Sequence, residues 1–251
     1  MNIIRFNTND SEKALQDLIN RFERVRKIED LKNVVSESQN RYGLKNLAYL
    51  GYNLGEISKS EPFSIVTYNQ QWINCYREKN YFEVDPVLKN VRRSILPLDW
   101  ADIEISSKEV QHFFKEAIEA GVGQHGLSIP VQGRNGDYSV LSITVDESSE
   151  DWDHFKNTYM RDLQILALYF HKSVLEVNNV SPPDFNLTNR ELDILYWSAC
   201  GKSSEDTGAI IGISKSTVRF HVSNILTKLN AVNITHAVGK AIFYGLIGRP
   251  S

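Results

Sequence analysis

The chain has 251 residues, 41% hydrophobic and 24% charged, with a net charge of −3. This is ordinary for a soluble globular protein, and the length favours two domains over one. No apolar run is long enough to span a bilayer, and the opening MNIIRFNTNDSEK lacks a signal peptide's apolar segment, so a cytoplasmic protein with no membrane partner is expected.

The charge is unevenly shared. Residues 182–251 hold seven Lys/Arg and five Asp/Glu, and the remainder holds 21 and 26. A mildly basic tail on an acidic body points to two jobs, with nucleic-acid contact confined to the tail. Cys75 and Cys200 lie far apart without metal-ligand spacing and read as reduced, buried thiols.

In chain order, residues 11–29 carry an amphipathic helix pattern with Ala14, Leu15, Leu18, Ile19 and Phe22 at core spacing. A second helix is expected over 31–41, stopping near Gly43, and strands over 47–52 and 63–68. The next stretch, YNQQWINCYREKNYFEVDPVL, is dense in aromatic rings. Tyr68, Trp72 and Tyr76 are spaced i, i+4, i+8, which on a helix lines three rings along one stripe. Asp85 followed by Pro86 predicts a new helix, with the acid as N-cap and proline at N1. Two readings of this stretch stay open. It is a core helix, or it is a ligand wall, because two phenols and an indole N–H turned inward need polar partners.

The short LPLDW segment delivers Trp100. Residues 107–121 predict a helix capped by Ser107, burying Val110, Phe113, Phe114, Ala117 and Ile118. Strands over 126–132 and 138–145 are joined by GRNG, where Asn135-Gly136 is a hairpin signal. No Lys-Ser/Thr follows those glycines, so they are not a phosphate loop. Residues 151–177 form a long helix and a candidate dimer surface, with burial inside the monomer as the competing reading. Strands joined partly by hairpins and partly by helices predict an α+β fold, an α/β/α sandwich with an antiparallel sheet. NNVSPPDFN, at 178–186, reads as a fairly extended linker.

From 187 the pattern becomes four short helices. Thr188 and Glu191 form a capping box, and Gly201, Gly212 and Gly245 punctuate the helices. A short helix, the turn Gly212-Ile213-Ser214 and a longer polar-faced helix make a helix-turn-helix. The exposed face of the longer helix is expected to offer Lys215, Ser216, Thr217, Arg219, Ser223 and Lys228, side chains suited to phosphates and base edges. The plainer reading is a surface helix with incidental basic residues.

The tail resembles the DNA-binding domain of LuxR-type transcription regulators. The resemblance is carried by Leu187-Thr188, Arg190-Glu191, Gly201-Lys202, Ile213-Ser214, Thr217-Val218, His221, Asn224-Ile225, Lys228-Leu229 and Ala237-Val238. It implies Lys202, Thr217, Arg219 and Lys228 as DNA contacts. Thr207 and Gly208 depart from the family's apolar residue and alanine, and Ile234 from its common arginine. The first departure is expected to loosen the second helix of the module.

The front of the chain resembles the signal-binding domain of quorum-sensing LuxR-type receptors for acyl-homoserine lactones, through Tyr68, Trp72, Tyr76, Asp85-Pro86, Trp100, and Gly126 with Pro130. On that resemblance, Trp72 N–H donates to the lactone carbonyl and ionised Asp85 accepts from the amide N–H. Tyr68 or Ser142 donates to the acyl carbonyl, Tyr76 and Trp100 wall the ligand by apolar contact, and Val87 joins the lining. The division expected is 1–177 for signal binding, 178–186 as linker and 187–251 for DNA, acting as a homodimer on an inverted repeat of double-stranded DNA. No cofactor beyond the signal molecule is expected.

Competing classes find little support. A phospho-receiver domain needs acids near its first strand, and none stands in the first six residues. A lactonase needs clustered ligands, but His112, His125, His154, His171, His221 and His236 are scattered, and no Gly-x-Ser-x-Gly elbow occurs. The serious alternative is the same architecture answering another small molecule, or binding DNA without ligand.

Overall fold

The computed structural model describes residues 8–105, 107–133, 136–180 and 184–248. The chain divides into two compact units, residues 1–132 with 137–180, and residues 133–136 with 181–251.

The first unit runs α1 (Thr8–Glu23), α2 (Ile28–Arg41), β1 (Asn46–Tyr52), β2 (Phe63–Val66), α3 (Gln70–Glu78), α4 (Pro86–Val91), β3 (Leu98–Asp99), α5 (Lys108–Glu119), β4 (His125–Gln132), β5 (Tyr138–Val145) and α6 (Ser149–Val177). The five strands form one antiparallel sheet in the order β2-β1-β5-β4-β3. Because side chains alternate across a strand, one sheet face carries Leu47, Tyr49, Leu127, Ile129, Leu141 and Ile143, packed with α1, α2 and α6 into the main core. The other face carries Ala48, Ser128 and Ser142, and a smaller core of Trp72 on α3, Tyr81 in the α3–α4 connection, and Phe113 and Ala117 on α5 lies on that side. This is the α+β sandwich expected.

Local chemistry sets the boundaries. α1 ends at Glu23, short of the expected 29, because Val25 N–H turns back to Phe22 O and Arg26 N–H bonds the Asp30 side chain. Asn69 caps α3 by accepting from Trp72 N–H, so Tyr68 precedes the helix and does not share its stripe. Asp85 caps α4 with Pro86 at N1, as expected. β3 has only two residues, too short to show a strand pattern in sequence. On α5, Phe113 and Ala117 are buried, but Ile118 is 52% exposed and lies off the packed face. Gly136 has φ +73°, while Asn135 of the expected hairpin pair and 181–183 of the expected linker lie outside the described residues. α6 buries Trp152, Phe155, Leu163, Leu166, Phe170 and Val174 within its own unit, leaving Leu168 56% exposed on its outer side.

The second unit contains α7 (Asn189–Ala199), α8 (Ser204–Ile211), α9 (Lys215–Lys228) and α10 (Ile234–Phe243) around Ile194, Leu195, Val218, Ile225, Leu229, Ala237 and Ala241. Both halves of the Thr188–Glu191 capping box form. α8 is not loosened by Thr207 and Gly208. Thr207 is 1% exposed, and a Cβ at 208 would stand 2.6 Å from Ile213 O, so glycine lets α8 sit tightly against the turn. A second capping box, Ser203 with Asp206, fixes its start.

Candidate functional sites

Between the sheet face bearing Ser142 and helices α3, α4 and α5 lies a cavity of about 100 Å³, several times the roughly 10–15 Å³ one water needs on this measure. All seven ligand residues expected from sequence line it: Tyr68, Trp72, Tyr76, Asp85, Val87, Trp100 and Ser142. Sequence reasoning missed much of the apolar lining, including Leu50, Val66, Phe82, Leu88 and Phe113.

Helix α3 and the Asp85 carboxylate are held from behind. α3 is pinned at its start by Asn69, whose Nδ2 also donates to Ala120 O at 2.6 Å, just past the end of α5. The turn ahead of α4 passes through Asn80 at φ +50°, which a short Asx side chain tolerates. It brings Asp85 back against Tyr76, nine residues earlier. Asp85 Oδ1 accepts Val87 N–H at 2.8 Å and Leu88 N–H at 3.3 Å, and Oδ2 accepts the Tyr76 hydroxyl at 2.7 Å. Tyr76 is therefore more than the apolar wall expected: its phenol proton is committed to Asp85.

Asp85 is 7% exposed. Burial pushes its carboxyl up to about 6, against the pull of the Tyr76 hydroxyl and the two helix N–H groups. Burial raises the Tyr76 phenol far above its ordinary range, and the adjacent Asp85 charge adds to it. Burial does the same to Tyr68. Among the described residues, neither the Trp72 indole N–H nor the Tyr68 hydroxyl has a hydrogen-bond partner, although Trp72 is 3% exposed.

Trp100 is placed by Asp99, which accepts Trp152 Nε1 at 3.0 Å, Ala101 N–H at 3.0 Å and the Lys156 ammonium. The Trp100 ring packs against Gly126, where a Cβ would stand 2.3 Å from Trp100 Cδ2. Its Nε1 donates to Ser128 Oγ at 2.9 Å, and Ser128 Oγ is 2.7 Å from Ser142 Oγ. Ser128 was not anticipated from sequence, though strand alternation puts it on the face of Gly126 and Pro130.

In the second unit, α8, the turn at Gly212 and α9 form the helix-turn-helix expected. Ser214 accepts Thr217 N–H at 3.1 Å, and its Oγ also meets Ser216 Oγ and Thr217 Oγ1, both at 2.7 Å. Lys202, Lys215, Ser216 and Arg219 are exposed and Thr217 half-buried, with Lys215 2.7 Å from Glu205. Lys228 departs from the expectation that it stands on this open face. Its ammonium donates to Asn186 O and to Glu191 Oε2, both at 2.8 Å, so it neutralises a carboxylate that is 2% exposed. Phe220, missed in sequence, is 63% exposed beside Arg219.

Among the described residues there is no cluster of metal ligands, and no helix is long and apolar enough to cross a membrane.

Comparison with known proteins gives these features a setting. Residues 27–174 match the Autoinducer binding domain family, and residues 185–241 match Bacterial regulatory proteins, luxR family. The transcriptional activator protein AnoR of Acinetobacter nosocomialis is 32% identical over 94% of this chain and 100% of its own length. A crystal structure of Escherichia coli SdiA shares the fold with a TM-score of 0.72, at 24% identity over 95% of this chain and 100% of that one. SdiA in complex with octanoyl-rac-glycerol gives a TM-score of 0.68 at 23% identity, covering 96% and 98%. The relatives are regulators of transcription and not enzymes. An autoinducer-binding domain followed by a helix-turn-helix places this chain in the LuxR family of bacterial transcription regulators.

Proposed function

We propose that the cavity takes an N-acyl-homoserine lactone and that the chain, as a homodimer, then binds an inverted-repeat promoter site in double-stranded DNA. One observation carries the reading: a mostly apolar cavity presents the Trp72 donor, the Asp85 acceptor and hydroxyls on Tyr68 and Ser142. An acyl-homoserine lactone offers the complement, with a lactone carbonyl, an amide N–H, an acyl carbonyl and an apolar tail. The hydrogen bond to charged Asp85 contributes roughly 1.5–3 kcal/mol, and each buried tail methylene about 0.8. The polar set governs identity and orientation, and the tail supplies much of the affinity.

On the DNA side, Lys202, Lys215, Ser216, Thr217 and Arg219 are the proposed contacts, with α9 in the major groove and half-sites about 10 bp apart or multiples of that. Lys228 supports α9 from behind. Arg219→Ala is expected to weaken operator binding about tenfold or more while sparing ligand uptake; loss of both together would indicate misfolding.

A second reading follows from the SdiA complex with octanoyl-rac-glycerol: an acylglycerol could fill the same cavity. Its ester oxygen cannot donate to Asp85, so only a glycerol hydroxyl would satisfy that acceptor. Purifying the protein from cells given candidate lactones, and identifying the retained molecule by mass spectrometry, decides between the two. Recovery of an acylglycerol in place of any lactone would overturn the first reading.

A further inference from the structure

The cavity floor contains a hydrogen-bond chain whose direction chemistry dictates. Trp100 Nε1, Ser128 Oγ and Ser142 Oγ follow one another at 2.9 and 2.7 Å. An indole N–H donates and never accepts, so the Ser128 oxygen receives it. Ser128 is 0% exposed, and among the described residues the only acceptor for its own proton is Ser142 Oγ. Leaving that buried proton unpaired would be costly, so Ser128 donates to Ser142. Ser142 then already accepts one hydrogen bond, and its remaining proton has no protein partner among the described residues. Ser142 lines the cavity.

The fold enforces this order. Ser128 and Ser142 are direct partners in the β4–β5 register, and Leu98 of β3 pairs with Ser128 on its other side. Gly126, two residues before Ser128 on the same face, lets the Trp100 ring lie against the strand so that its N–H reaches Ser128.

We propose that Ser128 is a positioning residue: through it, Trp100 orders the Ser142 hydroxyl as a donor into the cavity, so that this point of the site selects a ligand carrying a strong acceptor, the acyl carbonyl. The assignment rests on the lactone reading and deepens it. Trp72, Asp85 and Ser142 then present donor, acceptor and donor, and the ligand answers with acceptor, donor and acceptor. Ser128 is fully buried, so its own donor direction cannot be reset by water.

The test compares N-octanoyl-homoserine lactone with its thioamide counterpart, in which sulfur, a weak acceptor, replaces the acyl oxygen. Affinities are measured by calorimetric titration of the full chain as wild type, Ser128→Ala, Ser142→Ala, the double variant and Trp100→Phe. The wild type is expected to prefer the amide by about three- to tenfold, and Ser142→Ala to narrow that preference most. Ser128→Ala should narrow it towards the Ser142→Ala value and add nothing when combined with Ser142→Ala. Trp100→Phe keeps a ring but removes the N–H that sets the order, and should act in the same direction; it decides the matter if Ser128→Ala fails to fold. Retention of the wild-type preference in both Ser128→Ala and Trp100→Phe overturns the assignment, as does an equal loss for both ligands in both serine backgrounds, the mark of a packing role. If the wild type binds neither compound, the lactone reading falls and this assignment with it.

Discussion

Each unit buries a carboxylate at the start of a helix, and the two are treated in opposite ways. Glu191 is 2% exposed at the start of α7, Asp85 is 7% exposed at the start of α4, and both accept backbone N–H groups. Glu191 also has a cation, Lys228 Nζ at 2.8 Å. Burial alone would raise its carboxyl, but Lys228 and the Thr188 groups hold it below its ordinary value. Asp85 has a phenol where Glu191 has an ammonium, and its carboxyl is pushed up to about 6. One acid is completed inside the protein. The other has no cation paired with it among the described residues, and on the proposed reading a donor from the ligand completes it.

The largest expected effect comes from taking the cation away. Lys228→Met leaves Glu191 buried and uncompensated, and should destabilise the second unit by about 2–4 kcal/mol, somewhat below a fully buried pair because Lys228 is part-exposed. Calorimetric unfolding checks this. Because the folded-state value of Glu191 is depressed, its contribution is present above its ordinary pKa of 4.5 and is lost as pH falls through the lowered one, so the wild-type advantage should shrink in acid. Unchanged stability with weakened DNA binding would return Lys228 to the open face of α9.

Asp85→Asn should do the reverse. Asparagine caps a helix as well as aspartate, and removing a buried charge that lacks a cation leaves ligand-free stability at pH 7 unchanged or higher. Lactone affinity should fall by about 10- to 100-fold. A clear drop in stability with full lactone affinity would make Asp85 a cap and nothing more.

The contrast between these acids was only half legible in sequence. Asp85-Pro86 and Thr188-x-x-Glu191 both announced helix starts, because capping acts between neighbours in the chain. Their partners lie far off: Lys228 is 37 residues from Glu191, and Tyr76 reaches Asp85 only through the turn at Asn80. Spacing put Tyr76 and Trp72 on one helix but could not say which phenol proton was already committed. The Ser128–Ser142 pair likewise depends on strand register, set by how many residues the β4–β5 connection consumes. Lys228 misled for the same reason, since a lysine on an amphipathic helix carries no mark of the acid it neutralises.

The pH response sharpens the comparison next. A folded-state value of about 6 against 3.8 means the fold holds the Asp85 proton longer than the unfolded chain does. Stability from this group is therefore present below about pH 4 and is lost as pH rises to about 6, by up to about 3 kcal/mol. A ligand amide N–H bonds the ionised carboxylate more strongly than the neutral acid, so lactone affinity should move the opposite way, weakening by up to about tenfold per unit below pH 6. A flat affinity profile from pH 5 to 8 would show that the ligand does not donate to Asp85.

The smallest effect tests the phenol that stands in for a cation. Tyr76→Phe keeps the ring and its edge contact with Trp72, at 5.8 Å between centroids, and removes only the hydroxyl that donates to Asp85 Oδ2. That hydrogen bond favours the ionised carboxylate, so without it the midpoint of lactone affinity against pH should rise above the wild-type value. At pH 8, where Asp85 is ionised in both proteins, the affinities should differ by only about threefold; near pH 6.5 the gap should widen because the variant has begun to protonate. A uniform loss at every pH would mean that Tyr76 acts only as a wall. A shifted midpoint would mean that a neutral donor tunes the acid, leaving it charged enough to accept and uncompensated enough to need the ligand.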